Sequence, residues 1–184
     1  MKYSIVKIVS IVVFLITTTS SFAQKLVSQK TSISLFSHTA VEDIKSNNFR
    51  SVSTLDTFSG DLVFSVPMQS FEFEKELMQK HFNSSDFLDT KKEPKAKLVG
   101  KITNLSQINF KKDGTYNAEV SGELTIKGTT KTIREKATII VKGTTITLKS
   151  MIDIILVDYG IAFKKGKPST NIAKSIETTV EVEF

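Results

Sequence analysis

Residues 115–126 read TYNAEVSGELTI, and the apolar members of this stretch fall on alternate positions. The residues that share one face are Tyr116, Ala118, Val120, Leu124 and Ile126, and the odd-numbered positions between them are all polar. A two-residue period of this kind is typical of a β-strand with one face toward a core and the other toward water. The stretch therefore predicts an antiparallel sheet.

The same period recurs along most of the chain. Further strands are predicted at residues 32–36, 49–55, 62–68, 97–105, 133–141, 146–154 and 176–184. Short turns separate several of them, with Gly114, Gly128 and Gly143 at positions where a positive φ is inexpensive. About eight antiparallel strands on short connections predict an all-β fold, either an eight-stranded up-and-down barrel or a sandwich.

One segment breaks the strand pattern. Residues 74–82, EKELMQKHF, lack β-branched side chains, and their apolar residues fall at helical spacing. Residues 83–85, Asn-Ser-Ser, end the predicted helix, and Pro94 must precede the next strand because it cannot donate to a ladder. We therefore expect a short helical insertion at one end of the barrel, with the rings of Phe82 and Phe87 turned inward and Lys80 and Asp86 exposed.

Composition limits the chemistry. The chain has 184 residues, which suits one domain of about 100–200 residues, and it contains no Cys and two His. Disulfides, thiolate metal sites and a cysteine nucleophile are excluded. His38 and His81 have no nucleophile or carboxylate at motif spacing, which predicts that the protein is not an enzyme.

The acidic residues point to no cofactor or metal site either. Glu72, Glu74 and Glu76 fit a solvated helix start, where acids complement the helix dipole. Asp153 and Asp158 lie five residues apart on separate predicted turns, which makes a weak calcium signal. We expect neither a metal nor a cofactor.

Residues 1–23 have the pattern of a secretory signal peptide. Lys2 and Lys7 precede an apolar stretch at residues 8–16, and residues 21–23, Ser-Phe-Ala, offer a cleavage site before Gln24. The apolar stretch is shorter than the roughly 20 residues that cross a bilayer. We therefore expect residues 24–184 to form the mature domain, in the periplasm or secreted.

Two clusters of lysine accompany a formal net charge of +6. They comprise Lys91, Lys92, Lys95 and Lys97, and Lys164, Lys165 and Lys167. Such runs fit a solvated surface, and alternatively a phospholipid surface or a pyrophosphate group as partner. Nucleic acid is not expected as a partner, because no recognised motif interleaves exposed aromatic residues with these lysines.

Three segments carry a resemblance to a known family. They are the helical insertion with residues 80–89 (KHFNSSDFLD) followed by Pro94, the strand-turn-strand at residues 122–131 (GELTIKGTTK), and residues 158–161 (DYGI). In this order they resemble the YceI-like family of secreted lipid-binding proteins.

The resemblance implies an eight-stranded lipocalin-like barrel with a polyisoprenoid, an isoprenoid quinone or a fatty-acid derivative in its lumen. The protein would then be an exported carrier or buffer of this lipid. The resemblance is also compatible with a homodimer and with transient contact with a membrane surface. Eight strands can equally enclose a filled interior. The alternative is therefore a structural or stress-response module with a packed core and a protein partner.

The predicted lumen residues share the inward face of their own strands or lie on the helical insertion. They are Phe64, Val66, Met68, Phe82, Phe87, Tyr116, Val120, Ile126, Ile139, Leu148 and Ile152. Met68 brings a flexible thioether that suits a chain-like ligand. The hydroxyl of Tyr116 needs a partner if buried, and we expect it to address the polar end of the ligand.

Overall fold

The computed structural model describes residues 25–38, 43–161 and 173–184 in full, and 163–164 and 167–168 as backbone. The strands are β1 (Lys25–Val27), β2 (Lys30–His38), β3 (Asp43–Asn48), β4 (Val52–Asp56), β5 (Asp61–Pro67), β6 (Glu72–Phe73), β7 (Lys95–Ile102), β8 (Gly114–Ile126), β9 (Thr129–Lys142), β10 (Thr145–Ile155), β11 (Phe163–Lys164), β12 (Lys167–Pro168) and β13 (Ser175–Glu183). The α-helix α1 spans Glu76–Asn83, and short 3-10 turns occupy Met68–Ser70, Leu105–Gln107 and Leu156–Tyr159. The predicted signal peptide and Lys165 lie outside the described residues.

The strands form a curled antiparallel sheet. Eleven of those described are ordered β1-β4-β5-β7-β8-β9-β10-β13-β2-β3-β6, and β11 pairs with β12 alone. Strands that follow one another from β7 to β10 are antiparallel neighbours, and short turns at residues 127–128 and 143–144 join β8 to β9 and β9 to β10. The predicted all-β antiparallel fold with one short helix is confirmed.

The expected number of eight strands is wrong, because three short strands of this sheet and the separate β11–β12 pair were not predicted. The first, β1, continues the path of β2, and β3 continues into β4. Residues of β1 pair with β4 in the same register in which β2 pairs with β3. In the gap between β1 and β2, the Ser28 amide donates to the Ser53 carbonyl at 2.9 Å, and the Gln29 amide donates to the Glu183 carbonyl at 2.7 Å. The third short strand is β6, which pairs with β3.

Asn48 explains why the path of β3 and β4 is interrupted. Its side chain is fully buried, and its Oδ1 accepts from the Arg50 amide at 2.9 Å and from the Ser51 hydroxyl at 3.1 Å. Its Nδ2 donates to the Pro67 carbonyl at 2.9 Å. These bonds turn residues 49–51 out of the strand and leave Phe49 exposed, so the strand predicted at 49–55 begins only at Val52.

The β8–β9 turn has the positive φ that the sequence predicts, whereas the same prediction for Gly114 is wrong. Lys127 and Gly128 both have positive φ, and Gly143 also adopts it in the β9–β10 turn. Gly114 does not have a positive φ. It begins β8, and a Cβ there would meet the Tyr116 hydroxyl at 3.2 Å.

The interior has a packed half and a half with open space. The β8–β9 turn and α1 share one end of the sheet, since Gly128 lies against Glu93 in the connection that follows α1. Toward the opposite end, side chains fill the interior, and Leu55, Ile139 and Val182 are 0% exposed. We call the two regions the helix half and the packed half.

Candidate functional site

A cavity of about 740 Å³ occupies the helix half. It is lined by inward-facing residues of β2, β3, β5, β7, β8, β9, β10 and β13 and by α1 with the loops around it. On β9 the lining includes Ile133, Glu135 and Ala137, whereas Ile139 and Val141, farther from the β8–β9 turn, lie outside it. The volume is within the range of about 300–1,000 Å³ that is usual for small-molecule sites.

Phe82 anchors the helix over the cavity. It is buried, and its ring packs against Phe73 at 4.9 Å, Phe71 at 5.4 Å and Phe87 at 6.1 Å between centroids. Aromatic pairs at these distances add stability beyond the area that they bury. The prediction that Phe82 and Phe87 turn inward is met by a buried Phe82 and a half-buried Phe87, with Lys80 and Asp86 exposed.

A buried polar group fastens the end of α1 to the loop that follows it. The Thr90 hydroxyl donates to Asn83 Oδ1 at 2.8 Å, and Asn83 Nδ2 donates to the Gln79 carbonyl at 2.9 Å. The Gln69 side chain donates to the Thr90 carbonyl at 3.1 Å. Thr90 is 0% exposed, so these bonds form where water cannot replace them. The helix is thereby held at a fixed position above the cavity.

The cavity surface is apolar apart from a few side chains. The inward-facing polar residues among those described are Ser37, Ser46, Glu135, Ser150 and Thr178. The Ser150 hydroxyl donates to the Lys136 carbonyl at 2.7 Å, and Thr178 makes a long contact of 3.5 Å with the Ile176 carbonyl. Ser37 and Ser46 are buried, and their hydroxyls have no hydrogen-bond partner.

Glu135 is half-buried on β9, where its carboxyl group faces the cavity. Burial raises the pKa of Glu135 above its ordinary value, and the negative charge of Asp153 raises it further. Burial also raises the pKa of Tyr159, with smaller contributions from Asp158 and Glu135. This side of the cavity therefore disfavours additional negative charge.

The structure brings nine of the eleven predicted lumen residues together around the cavity. These nine are Phe64, Val66, Met68, Phe82, Phe87, Val120, Ile126, Leu148 and Ile152. Ile139 faces inward but is fully enclosed in the packed half. Tyr116 is also outside the cavity lining, and its hydroxyl donates to the Lys112 carbonyl at 2.9 Å. The expectation that Tyr116 addresses the polar end of a ligand is therefore wrong.

The polar residues of the cavity were missed at the sequence level. Alternation could have found them, since Ser37 follows Ile33 and Leu35 on one strand face. Glu135 likewise lies between Ile133 and Ala137 on the inward face of β9. Polar residues that share a face with buried apolar ones are the signal that was available.

The described residues offer little for metal chemistry. They contain no group of three or more His, Asp and Glu side chains placed to hold a metal ion. His38 Nδ1 lies 2.6 Å from Asp43 Oδ1, but both side chains are exposed at the end of the β2–β3 pair. No helix in this part of the chain has the length and apolar character needed to cross a bilayer.

Solved structures share this fold. Burkholderia cenocepacia BcnA superposes with a TM-score of 0.70 at 19% identity, covering 84% of this chain and 96% of that protein. A polyisoprenoid-binding domain from Saccharophagus degradans, implicated in plant cell wall breakdown, gives a TM-score of 0.69 at 10% identity, with coverage of 83% and 92%. The Campylobacter jejuni YceI protein gives a TM-score of 0.56 at 18% identity, with coverage of 100% and 90%. At these identities the likeness concerns the fold.

Sequence comparison agrees with the structural likeness. A UPF0312 protein of Pseudomonas putida is 44% identical over 59 residues, which are 32% of this chain and 27% of that protein. The matched stretch thus spans about a quarter of the curated relative. The model of the YceI-like domain matches residues 17–184. By this match over most of its length, the chain belongs to the YceI-like domain family.

Proposed function

We propose that the protein binds an isoprenoid or another amphiphilic lipid in the cavity of the helix half, as a carrier or buffer. The observation that carries this proposal is the contrast between the two halves of one interior. The packed half is filled by side chains, whereas the helix half leaves about 740 Å³ between apolar walls. Removal of an apolar chain from water contributes roughly 25 cal/mol for each Å² buried.

The fold supports the same proposal. A curled antiparallel sheet with one covered end is the lipocalin-like arrangement that the family resemblance implies, and such interiors can hold one ligand. The S. degradans domain of the same fold is named for polyisoprenoid binding. The open space of the helix half favours lipid binding over the alternative of a packed-core module with a protein partner.

A substitution in the wall of the cavity tests this proposal. Val120 on β8 is buried and lines the cavity, so Val120→Arg should abolish binding of a fluorescent prenyl probe. Glu119→Arg is the matched control, because Glu119 is exposed on the opposite face of the same strand. Unchanged binding in a folded Val120→Arg protein would place the ligand elsewhere.

We also propose that the protein is exported and that residues 1–23 are removed. The support is the order of Lys2, Lys7, the apolar stretch and the small residues before Gln24. N-terminal sequencing of the protein from its host should begin at or near Gln24. An intact Met1 in a membrane fraction would contradict export with cleavage.

A further inference from the structure

Two serine hydroxyls in the cavity are buried without a partner. Ser37 is 4% exposed and Ser46 is 2% exposed, and neither Oγ has a hydrogen-bond partner. Buried hydroxyl groups are nearly always hydrogen-bonded, because an unpaired one loses its bonds to water without replacement. Both residues line the cavity, and rotation of either side chain about its Cα–Cβ bond would let a molecule inside supply the missing bond.

The register places the two hydroxyls near each other. Ser46 lies directly opposite Leu35 on β2, and Ser37 lies directly opposite Ile44 on β3. They are therefore diagonal neighbours on the inward face of one antiparallel pair, where such positions are about 7–8 Å apart. One small group between them is within reach of both.

This serine pair lies at the end of the cavity that α1 covers. On its other side Ser46 pairs with Phe73 of β6. The Phe73 ring in turn contacts Phe82 of α1, with 4.9 Å between centroids. A ligand whose polar group sits at the serine pair therefore has this group under the aromatic cluster and its chain in the apolar remainder of the cavity.

The charges around the cavity favour a neutral polar group. Lys97 and His81 are the cationic or basic side chains among the described lining residues, and both are exposed. Lys97 alternates along β7 with Ala96 and Leu98, which are buried. Glu135 contributes negative charge when ionised. A buried phosphate would lack a counter-charge here, whereas a serine hydroxyl can both donate to and accept from a neutral group.

We infer that Ser37 and Ser46 form a subsite for a neutral hydroxyl, carbonyl or amide group of the bound lipid. The subsite sits beneath α1 and discriminates against a phosphorylated lipid of the same chain length. This inference rests on the proposed function, because it assumes that the cavity holds an amphiphile.

The test compares three ligands with one chain and different ends. Geranylgeraniol, geranylgeranyl diphosphate and the corresponding hydrocarbon compete with a fluorescent prenyl probe for the purified protein. We expect the alcohol to bind about tenfold more tightly than the hydrocarbon, as one or two net hydrogen bonds allow. The diphosphate should bind no more tightly than the hydrocarbon.

The variant Ser37→Ala/Ser46→Ala should bind all three ligands like the hydrocarbon. Ser53→Ala is the matched control, since Ser53 is also buried with an unpartnered hydroxyl but lies outside the cavity lining. It should keep the preference for the alcohol. Melting of the lipid-free double variant should occur at or above the temperature of the original protein, because no hydrogen bond within the protein is lost.

Each adverse outcome has a distinct meaning. Equal binding of alcohol and hydrocarbon, tighter binding of the diphosphate, or a preference that survives in the double variant would overturn the subsite and leave lipid binding intact. Failure of all three ligands to bind the original protein would overturn the proposed function itself.

Discussion

Asn48 forms three hydrogen bonds from a fully buried position, two within the turn between β3 and β4 and one that ties this turn to Pro67 at the end of β5. Its removal leaves the Pro67 carbonyl and the Arg50 amide without their partner. Asn48→Ala should therefore reduce the free energy of unfolding by about 1–3 kcal/mol. The measurement is urea denaturation followed by circular dichroism.

Asn47 provides the comparison for this substitution. It is exposed and accepts a single bond from the Ser34 hydroxyl at 2.7 Å. Asn47→Ala should change the free energy of unfolding by about 0.5 kcal/mol or less. Equal losses in the two variants would show that the buried bonds of Asn48 are not what holds the turn.

Glu135 makes stability depend on pH. Burial raises its pKa in the folded protein above the ordinary value of 4.5, so folding favours the protonated form. This proton stabilises the folded protein fully below the pKa that Glu135 has in the unfolded chain. The stabilisation is lost as the pH rises through the pKa of Glu135 in the folded protein. Glu135→Gln should therefore melt like the original protein near pH 4 and at a higher temperature near pH 8. If the melting temperatures of the two proteins differed by the same amount at both pH values, the raised pKa of Glu135 would not be the cause.

At the scale of elements, the helix α1 depends on one side chain more than on its own turns. Its eight residues are too few to be stable alone, and Phe82 is its buried residue. Phe82→Ala should lower the free energy of unfolding by about 3–5 kcal/mol and accelerate release of a prenyl probe. Leu77→Ala on the same helix should cost about 0.5 kcal/mol or less, since Leu77 is 60% exposed. Denaturant melts and stopped-flow release measure the two effects.

The strands that the sequence predicts and those that it misses differ in one physical respect. Where inward positions carry apolar residues, as in β8 and β13, alternation locates the strand to within one or two residues. The inward positions of β3 include Ser46 and Asn48, which are buried but polar. Hydropathy therefore predicts no strand at DIKSNN, although its pairing with β2 makes it one.

At the scale of the whole molecule, alternation predicts the face on which a side chain lies but not its level along the barrel. Ile139 and Ile152 both face inward, yet the first is enclosed in the packed half and the second borders the cavity. The level depends on the stagger and curl of the strands. These cannot be predicted from residues that are adjacent in the sequence. This is why nine predicted lumen residues meet at the cavity and two do not.

The same pair of isoleucines separates stability from binding. Ile139→Ala removes side-chain atoms from a filled region and should lower the free energy of unfolding by about 2–5 kcal/mol. Ile152→Ala enlarges a space that already exists and should cost about 1–2 kcal/mol, while it weakens binding of a prenyl probe. Chemical denaturation and probe titration of both variants check this division. Similar losses of stability with unaltered binding would mean that the interior has no such division.

The pairing of β13 with β2 has a consequence for how the protein folds. Lys30 of β2 and Glu183 of β13 are 153 residues apart in sequence and form an ion pair of 3.3 Å. Contacts of such high sequence separation slow folding, because the loop that they close loses much entropy before the contact is gained. The curled sheet therefore cannot be completed on the ribosome until β13 has emerged. Until then the strands from β2 onward form a chain whose edges are open to chaperones and to aggregation.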